Sequence, residues 1–307
     1  KASGGAEYAM TISTMQLAVG AVYAIFLWIA PDARKAPKVT VSDLFAMLPV
    51  AICAAGAHSA SVFSLAAGGV AFGQIVKAAE PAFAAVVGTF VYGKKISAAK
   101  WMCLFPIIGG VCLAALKQKK GDLPVFAPTP EYVTALAGSF ELDFTMGGLM
   151  GALIANLFAS FKGNESHKLM HSPEIKERIG SVGNQFALTT ILALFVSLPV
   201  MFLMEGSKWG NFVGLFNTNE VVKTNLILSG LTFYAYNEVS TLTLKKISAV
   251  SNSVANTAKR VVVIVGSAIV FGEEIGGIKA LGCTICIAGV FLNSVIDDLF
   301  SSKKKKA

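Results

Sequence analysis

The chain has 307 residues, of which 54% are hydrophobic and 14% charged, with a formal net charge of +8 and a mean hydropathy of +0.65. A soluble domain carries about 25% charged residues. The composition therefore excludes a disordered chain, a disulfide scaffold and most soluble enzymes, and points to a protein that crosses a membrane several times.

A run of about 20 apolar residues spans the hydrocarbon core as a helix. Nine such runs follow one another: A (8–30), B (45–65), C (69–92), D (98–116), E (144–161), F (181–204), G (222–244), H (249–271) and I (277–295). They are rich in Ala, Gly and Leu and do not alternate, which favours helices over barrel strands. Small residues let such helices pack closely in lipid. Cys53, Cys103, Cys112, Cys283 and Cys286 all fall within runs. Cys283 and Cys286 have metal-like spacing, but no second ligand pair accompanies them. Packing is expected of them, with no metal and no cofactor. Lys1 in place of Met is expected of a processed or trimmed chain, and no run has the form of a cleaved secretory signal.

Sorting the 26 Lys and Arg along the chain explains most of the charge. The A–B, C–D, E–F and G–H loops and the C-terminus collect 16 of them; the opposite loops and the N-terminus collect 7. The positive-inside rule turns the first face toward the cytosol-like compartment, so no nucleic-acid partner is expected. Segment 162–180 reads as a charged, flexible loop, and 117–143, with Pro124, Pro128 and Pro130, as a connector. The lysine run 303–306 reads as a basic tail beside anionic lipid. Five charges remain inside runs: Lys77 and Glu80 in C, Glu238 in G, Lys259 and Arg260 in H. Such charges face a partner or an aqueous cavity. The two acids read as structural counter-ions. Three cations against two acids leave a positive excess, which suits an anionic ligand.

A shift of 179 residues lays the later part of the chain on the earlier part. Gly93 falls on Gly272, Lys100 on Lys279, Gly110 on Gly289 and Ser61 on Ser240, with no gap from 61 to 114. Runs B, C and D then match G, H and I, and A matches F. Run E lacks a counterpart, which is expected ahead of Lys1. Two halves with an odd number of helices are inverted relative to each other, an arrangement that transporters use to hold substrate between the halves. Residues 77–81 fall on 256–260, so the basic clusters occupy equivalent places.

The stretches Ile75-Val76-Lys77-Ala78-Ala79-Glu80-Pro81, 144–156 (FTMGGLMGALIAN), Tyr236-Asn237-Glu238-Val239-Ser240 and 253–260 (SVANTAKR) resemble the plastid phosphate translocators of the drug/metabolite transporter superfamily. The resemblance runs from A through nearly the whole chain. It implies an all-α membrane protein, a polytopic helix bundle of two inverted five-helix repeats, with nine spans in this chain and the family's first helix missing. The corresponding limits are 1–122 for the first half, 123–143 for the connector, 144–300 for the second half and 301–307 for the basic tail. The implied activity is not enzymatic. It is antiport of a phosphorylated C3–C6 metabolite (triose phosphate, 3-phosphoglycerate, phosphoenolpyruvate or sugar phosphate) for inorganic phosphate across the plastid envelope, at its inner membrane. The implied partners are these metabolites, phosphate and the bilayer, with the chain as monomer or homodimer. A nucleotide-sugar or other drug/metabolite carrier is the alternative activity, and another plastid-bounding membrane or the Golgi/ER the alternative location.

In that family a Lys of run C and a Lys-Arg pair of run H hold the phosphate, which match Lys77, Lys259 and Arg260. A His and a hydroxyl on run B and a Tyr on run G contact the rest of the substrate, which match His58, Ser61 and Tyr236. Gln74 and Asn256 complete the expected set. The chain departs from the family at Gln74, often His there, and at Ala255, often Gly. The chemistry suits a dianion: Arg offers a planar fork to phosphate oxygens and Lys a compact, movable charge. His58 and Ser61, three residues apart, are expected on one helix face, as are Lys77 and Glu80. Asn252, Asn256 and Lys259 are expected along one polar face of H, with Lys259 and Arg260 diverging by about 100°. An empty site with uncompensated positive charge is expected to reorient poorly, which gives obligatory exchange.

Overall fold

The computed structural model describes residues 5–68, 70–118, 139–142, 145–169, 172–243, 255, 258–259, 261–266, 269–270, 272 and 276–304. Asn252, Asn256 and Arg260, most of run H, the middle of the connector and the end of the tail lie outside the described residues. Within them the chain forms α1 (Ala9–Ile29), α2 (Val41–Ala67), α3 (Val70–Lys77), α4 (Glu80–Phe90), α5 (Ala98–Ala114), α6 (Met146–Leu169), α7 (Pro173–Ile179), α8 (Val182–Glu205), α9 (Trp209–Thr218), α10 (Glu220–Thr243) and α11 (Gly277–Lys304). Among the described residues four stretches are long and apolar enough to cross a bilayer: Ala9–Ile29, Val41–Ala67, Val182–Thr218 and Gly277–Ile296. Large apolar side chains such as Phe90, Phe105 and Leu203 point outward, as lipid-facing surface requires. Many inward-facing positions are Ala, Ser and Thr.

Helix starts are set by local chemistry. Thr40 and Asp43 cap α2 reciprocally: the Thr40 N–H donates to Asp43 Oδ2 at 2.8 Å and the Asp43 N–H to Thr40 Oγ1 at 3.3 Å. Ser97 and Ser181 cap α5 and α8. Tyr8, ahead of α1, offers no side-chain cap. Glu205 does this instead from the end of α8, accepting from the N–H groups of Met10 and Thr11 at 3.0 and 2.8 Å and from the Thr11 hydroxyl at 2.7 Å. A carboxylate at a helix N-terminus also meets the positive end of the helix dipole.

Small residues bring helices into backbone contact. In the α2·α6 pair Gly56 faces Phe158, Ser64 faces Gly151 and Gly68 faces Gly148. Partner numbers fall as position numbers rise, so the two helices are antiparallel. The α5·α11 pair is antiparallel too, with Ile107 on Gly289, Gly110 on Cys286 and Ala114 on Gly282. Helix α1 runs parallel to α10, through Gln16–Ser229 and Gly20–Tyr234. It runs antiparallel to α8, through Thr11–Glu205 and Trp28–Asn184.

Three expectations change. Run C is not one helix: α3 ends at Lys77 and α4 begins at Glu80. The cause is Pro81, which has no N–H for the Lys77 carbonyl and whose ring would collide with it. The chain makes tight turns instead, Ala78 N–H to Ile75 O at 2.9 Å and Ala79 N–H to Val76 O at 3.0 Å. Lys77 and Glu80 therefore do not share a helix face. Second, most of segment 162–180 is helical rather than a flexible loop, because α6 continues to Leu169 and α7 follows. The polar end of α6 is held by Gln185, donating to Ser166 Oγ at 2.7 Å, and by Tyr92, donating to Glu165 at 2.6 Å. Third, the connector's ends pair as a short antiparallel ladder, β1 (Leu116–Gln118) against β2 (Phe140–Leu142).

Candidate substrate-binding site

Of the expected residues, Ser61 and Lys77 meet at the end of α3, and Tyr236 and Lys259 meet on α10. Helix α2 carries His58 and Ser61 on one face, as their spacing requires. The Lys77 ammonium, at the end of α3, donates to Ser61 Oγ at 3.0 Å. Ser61 in turn donates to the Ala57 carbonyl at 2.6 Å, so the hydroxyl both bonds back to its own helix and supports the lysine. Gln74 sits half-buried on α3, one turn before Lys77. His58 lies close enough to Lys77 to feel its charge. Its Nε2 is buried and has no hydrogen-bond partner among the described residues. A buried, unpartnered ring nitrogen is costly unless something else occupies it.

The break itself is braced by Asn156. This residue is fully buried on α6 and donates to the Val76 carbonyl at 2.9 Å, where regular helix bonding stops. The second basic cluster reaches α10: Lys259 Nζ bonds Tyr236 Oη at 2.5 Å and lies 5.1 Å from that ring's centroid, within cation–π range. Three residues back on the same face of α10, Phe233 packs on the His58 ring with centroids 4.1 Å apart. One helix thus touches both clusters. Asn256 and Arg260, the remaining expected members, lie outside the described residues.

Two cations were not expected here. Lys162 was assigned to a loop, yet it lies on α6, where its charge reaches His58 and the charge of Glu80 reaches it. Hydropathy ended run E at Phe161; only helix continuity would have kept Lys162 inside. Arg34, from the segment after α1, forms an ion pair with Glu238, and both side chains are largely buried. Gly183 on α8 makes room for this pair, since a Cβ there would lie 3.1 Å from the guanidinium carbon. Glu238 is therefore a structural counter-ion, as expected, with its partner in Arg34. Lys77 thus meets Ser61, Lys259 meets Tyr236 on α10, and Lys162 on α6 lies within electrostatic reach of Glu80. Lys259 and Tyr236 are exposed, and cations with hydroxyl and imidazole groups beside them can compensate the lost hydration of a dianion.

The chain matches the Triose-phosphate Transporter family over residues 4–127 and 133–294. It is 30% identical over 304 residues to the chloroplastic triose phosphate/phosphate translocator of Zea mays, covering 97% of this chain and 66% of that protein. It is 32% identical over 305 residues to the corresponding protein of Pisum sativum, covering 98% and 68%. It is 34% identical over 291 residues to phosphoenolpyruvate/phosphate translocator 3, chloroplastic, of Oryza sativa subsp. japonica, covering 92% and 66%. The chain spans about two thirds of the length of these relatives. A crystal structure of a protein only 16% identical shares the fold with a TM-score of 0.51, covering 98% of this chain and 91% of that one. With nearly its whole length matched, the chain belongs to the Triose-phosphate Transporter family.

Proposed function

We propose that this chain exchanges a phosphorylated C3–C6 metabolite for inorganic phosphate by alternating access, in the inner membrane of a plastid envelope. The observation that carries the proposal is the convergence on α10 of two basic clusters, Lys77 with Ser61 and His58 on one side and Lys259 on Tyr236 on the other. Relatives named as translocators of triose phosphate, glucose-6-phosphate and phosphoenolpyruvate against phosphate support the substrate class. Lys77, Lys259 and Arg260 hold the phosphate group. His58, Ser61, Gln74, Tyr236 and Asn256 contact the remainder.

The architecture proposed with it is that of two inverted five-helix repeats. Two observations support it. The 179-residue shift carries the contact of Ile107 with Gly289 onto that of Gly110 with Cys286, so α5 and α11 meet as images of each other. The parallel and antiparallel pairings of α1, α2, α5, α6, α8, α10 and α11 also run as the alternating loop faces require. Binding of a dianion offsets the cationic excess and lets the halves rock. The empty site keeps its charge and does not cross, so transport is obligatory exchange.

Reconstitution in liposomes tests the proposal. Labelled phosphate should enter vesicles loaded with phosphate or triose phosphate, and should not enter empty ones. Rapid uptake into empty vesicles would overturn obligatory exchange. Lys77→Ala and Lys259→Ala should each abolish exchange while the protein still inserts; near-normal exchange in both would overturn the site.

A further inference from the structure

We infer that Phe233 is a positioning residue that sets affinity for the carbon skeleton of the substrate by holding the His58 ring; this rests on the phosphate-exchange function proposed above. The two rings come from different halves of the chain, His58 from α2 and Phe233 from α10. Their centroids are 4.1 Å apart at an interplanar angle of 34°. Phe233 is itself packed into the apolar cluster of Leu17, Ala55 and Ala193, contributed by α1, α2 and α8. The phenyl ring is thus a fixed wall against which the imidazole rests.

That wall matters because of what the imidazole presents. Its Nε2 is buried without a partner, on a ring whose surroundings include the charges of Lys77 and Lys162. A neutral imidazole nitrogen either donates or accepts a single directional hydrogen bond. Such a bond discriminates only if the ring cannot swing away. Side-chain freedom that must be frozen on binding weakens it. Ammonium groups on long stems adapt to a phosphate wherever it settles, but a stacked imidazole does not. The two parts of a phosphate ester therefore depend differently on Phe233. Inorganic phosphate offers only the oxygens that the lysines take. A triose or hexose phosphate also carries hydroxyl or carbonyl oxygens, which need a donor or acceptor at a defined place. The same α10 face continues to Tyr236 and Lys259, so the ring also fixes the distance between the skeleton contact and the second cation.

The test compares apparent KM values in proteoliposomes holding internal phosphate, with external phosphate, triose phosphate or glucose 6-phosphate. An aromatic pair contributes roughly a two- to tenfold effect on an equilibrium. Phe233→Leu, which keeps bulk but removes the ring, should raise the ratio of the ester KM to the phosphate KM by about that factor. Phe233→Tyr should keep the ratio of the parent chain. In a His58→Ala background Phe233→Leu should move the ratio no further, because the ring it positions is gone. A ratio unchanged by Phe233→Leu, or an equal change with and without His58, would overturn the inference. Absence of any phosphate exchange by the unsubstituted chain would instead overturn the proposed function, and it is read in a separate arm.

Discussion

The sharpest structural prediction concerns two adjacent glycines on α5. A Cβ built on Gly110 would lie 2.8 Å from Cys286 Cα, against 3.4–4 Å for ordinary contact. Gly110→Ala therefore forces a separation of about 0.6 Å or more. The obstacle is backbone, so no side chain can swing aside and the whole α5·α11 interface must open. Overpacking of this kind costs about 1–3 kcal/mol. Gly109 has nothing within 4 Å of a built Cβ and faces outward. Both substitutions gain the same helix propensity, about 0.5–1 kcal/mol, which cancels when the two variants are compared. Their difference in stability should thus equal the clash alone. Gly289→Ala should fall between them, because its Cβ would meet Ile107 N at 3.0 Å. Unfolding in mixed detergent, followed by helix content, reads the order: Gly109→Ala most stable, Gly289→Ala next, Gly110→Ala least. Gly110→Ala as stable as Gly109→Ala would refute the close crossing.

The other predictions use the same measurement. Arg34→Ala leaves the buried Glu238 carboxylate without its partner and should cost about 3–5 kcal/mol; if adding Glu238→Gln recovers none of it, the pair is not coupled. Gly183→Ala, which crowds that ion pair, should destabilise the parent chain but not the Arg34→Ala variant, and equal losses in both would place the strain elsewhere. Asn156→Ala removes the donor to the Val76 carbonyl at the α3–α4 break and should cost about 1–3 kcal/mol, so a neutral result would show that the carbonyl finds another donor. Asp43→Ala removes the carboxylate half of the α2 capping box, which accepts from the Thr40 N–H and hydroxyl, together with the partner of Arg178; a loss below ~1 kcal/mol would contradict this double role.

The apolar stretches that form α1, α2, α8 and α11 were legible because hydropathy integrates over about 20 residues, and single polar positions hardly disturb the sum. Helix ends were not. Run E stops at Phe161 by hydropathy, yet α6 continues through Lys162 and Glu165 to Leu169, since Lys and Glu are good helix formers whatever their polarity. The site was partly legible, because charges inside apolar runs are conspicuous. Lys77 and Lys259 needed no structure to attract attention. Phe233 did: an aromatic residue in an apolar span carries no local signal, and only its cross-helix contact with His58 gives it a role. The ion pair of Arg34 with Glu238 was hidden for the same reason, one partner lying in a loop 204 positions away from the other.

The break in run C shows how one short motif handles several problems at once. A charge inside a membrane is costly unless something stabilises it. Pro81 ends α3 at Lys77 and starts α4 at Glu80. The lysine then stands at the negative, C-terminal end of one helix dipole and the glutamate at the positive, N-terminal end of the next. In a continuous helix both would sit in mid-span, where the dipole offers neither any support. The broken backbone creates its own demand for donors, which Asn156 meets at Val76. The lysine also donates to Ser61, an uncharged hydroxyl that an anion can displace. The proline, by ending α3 at the lysine, is thus as much a part of the proposed anion site as the lysine. Pro81→Ala, which allows the helix to close through the break, should weaken phosphate exchange with Lys77 still in place. Unchanged exchange in that variant would show that the charge alone suffices.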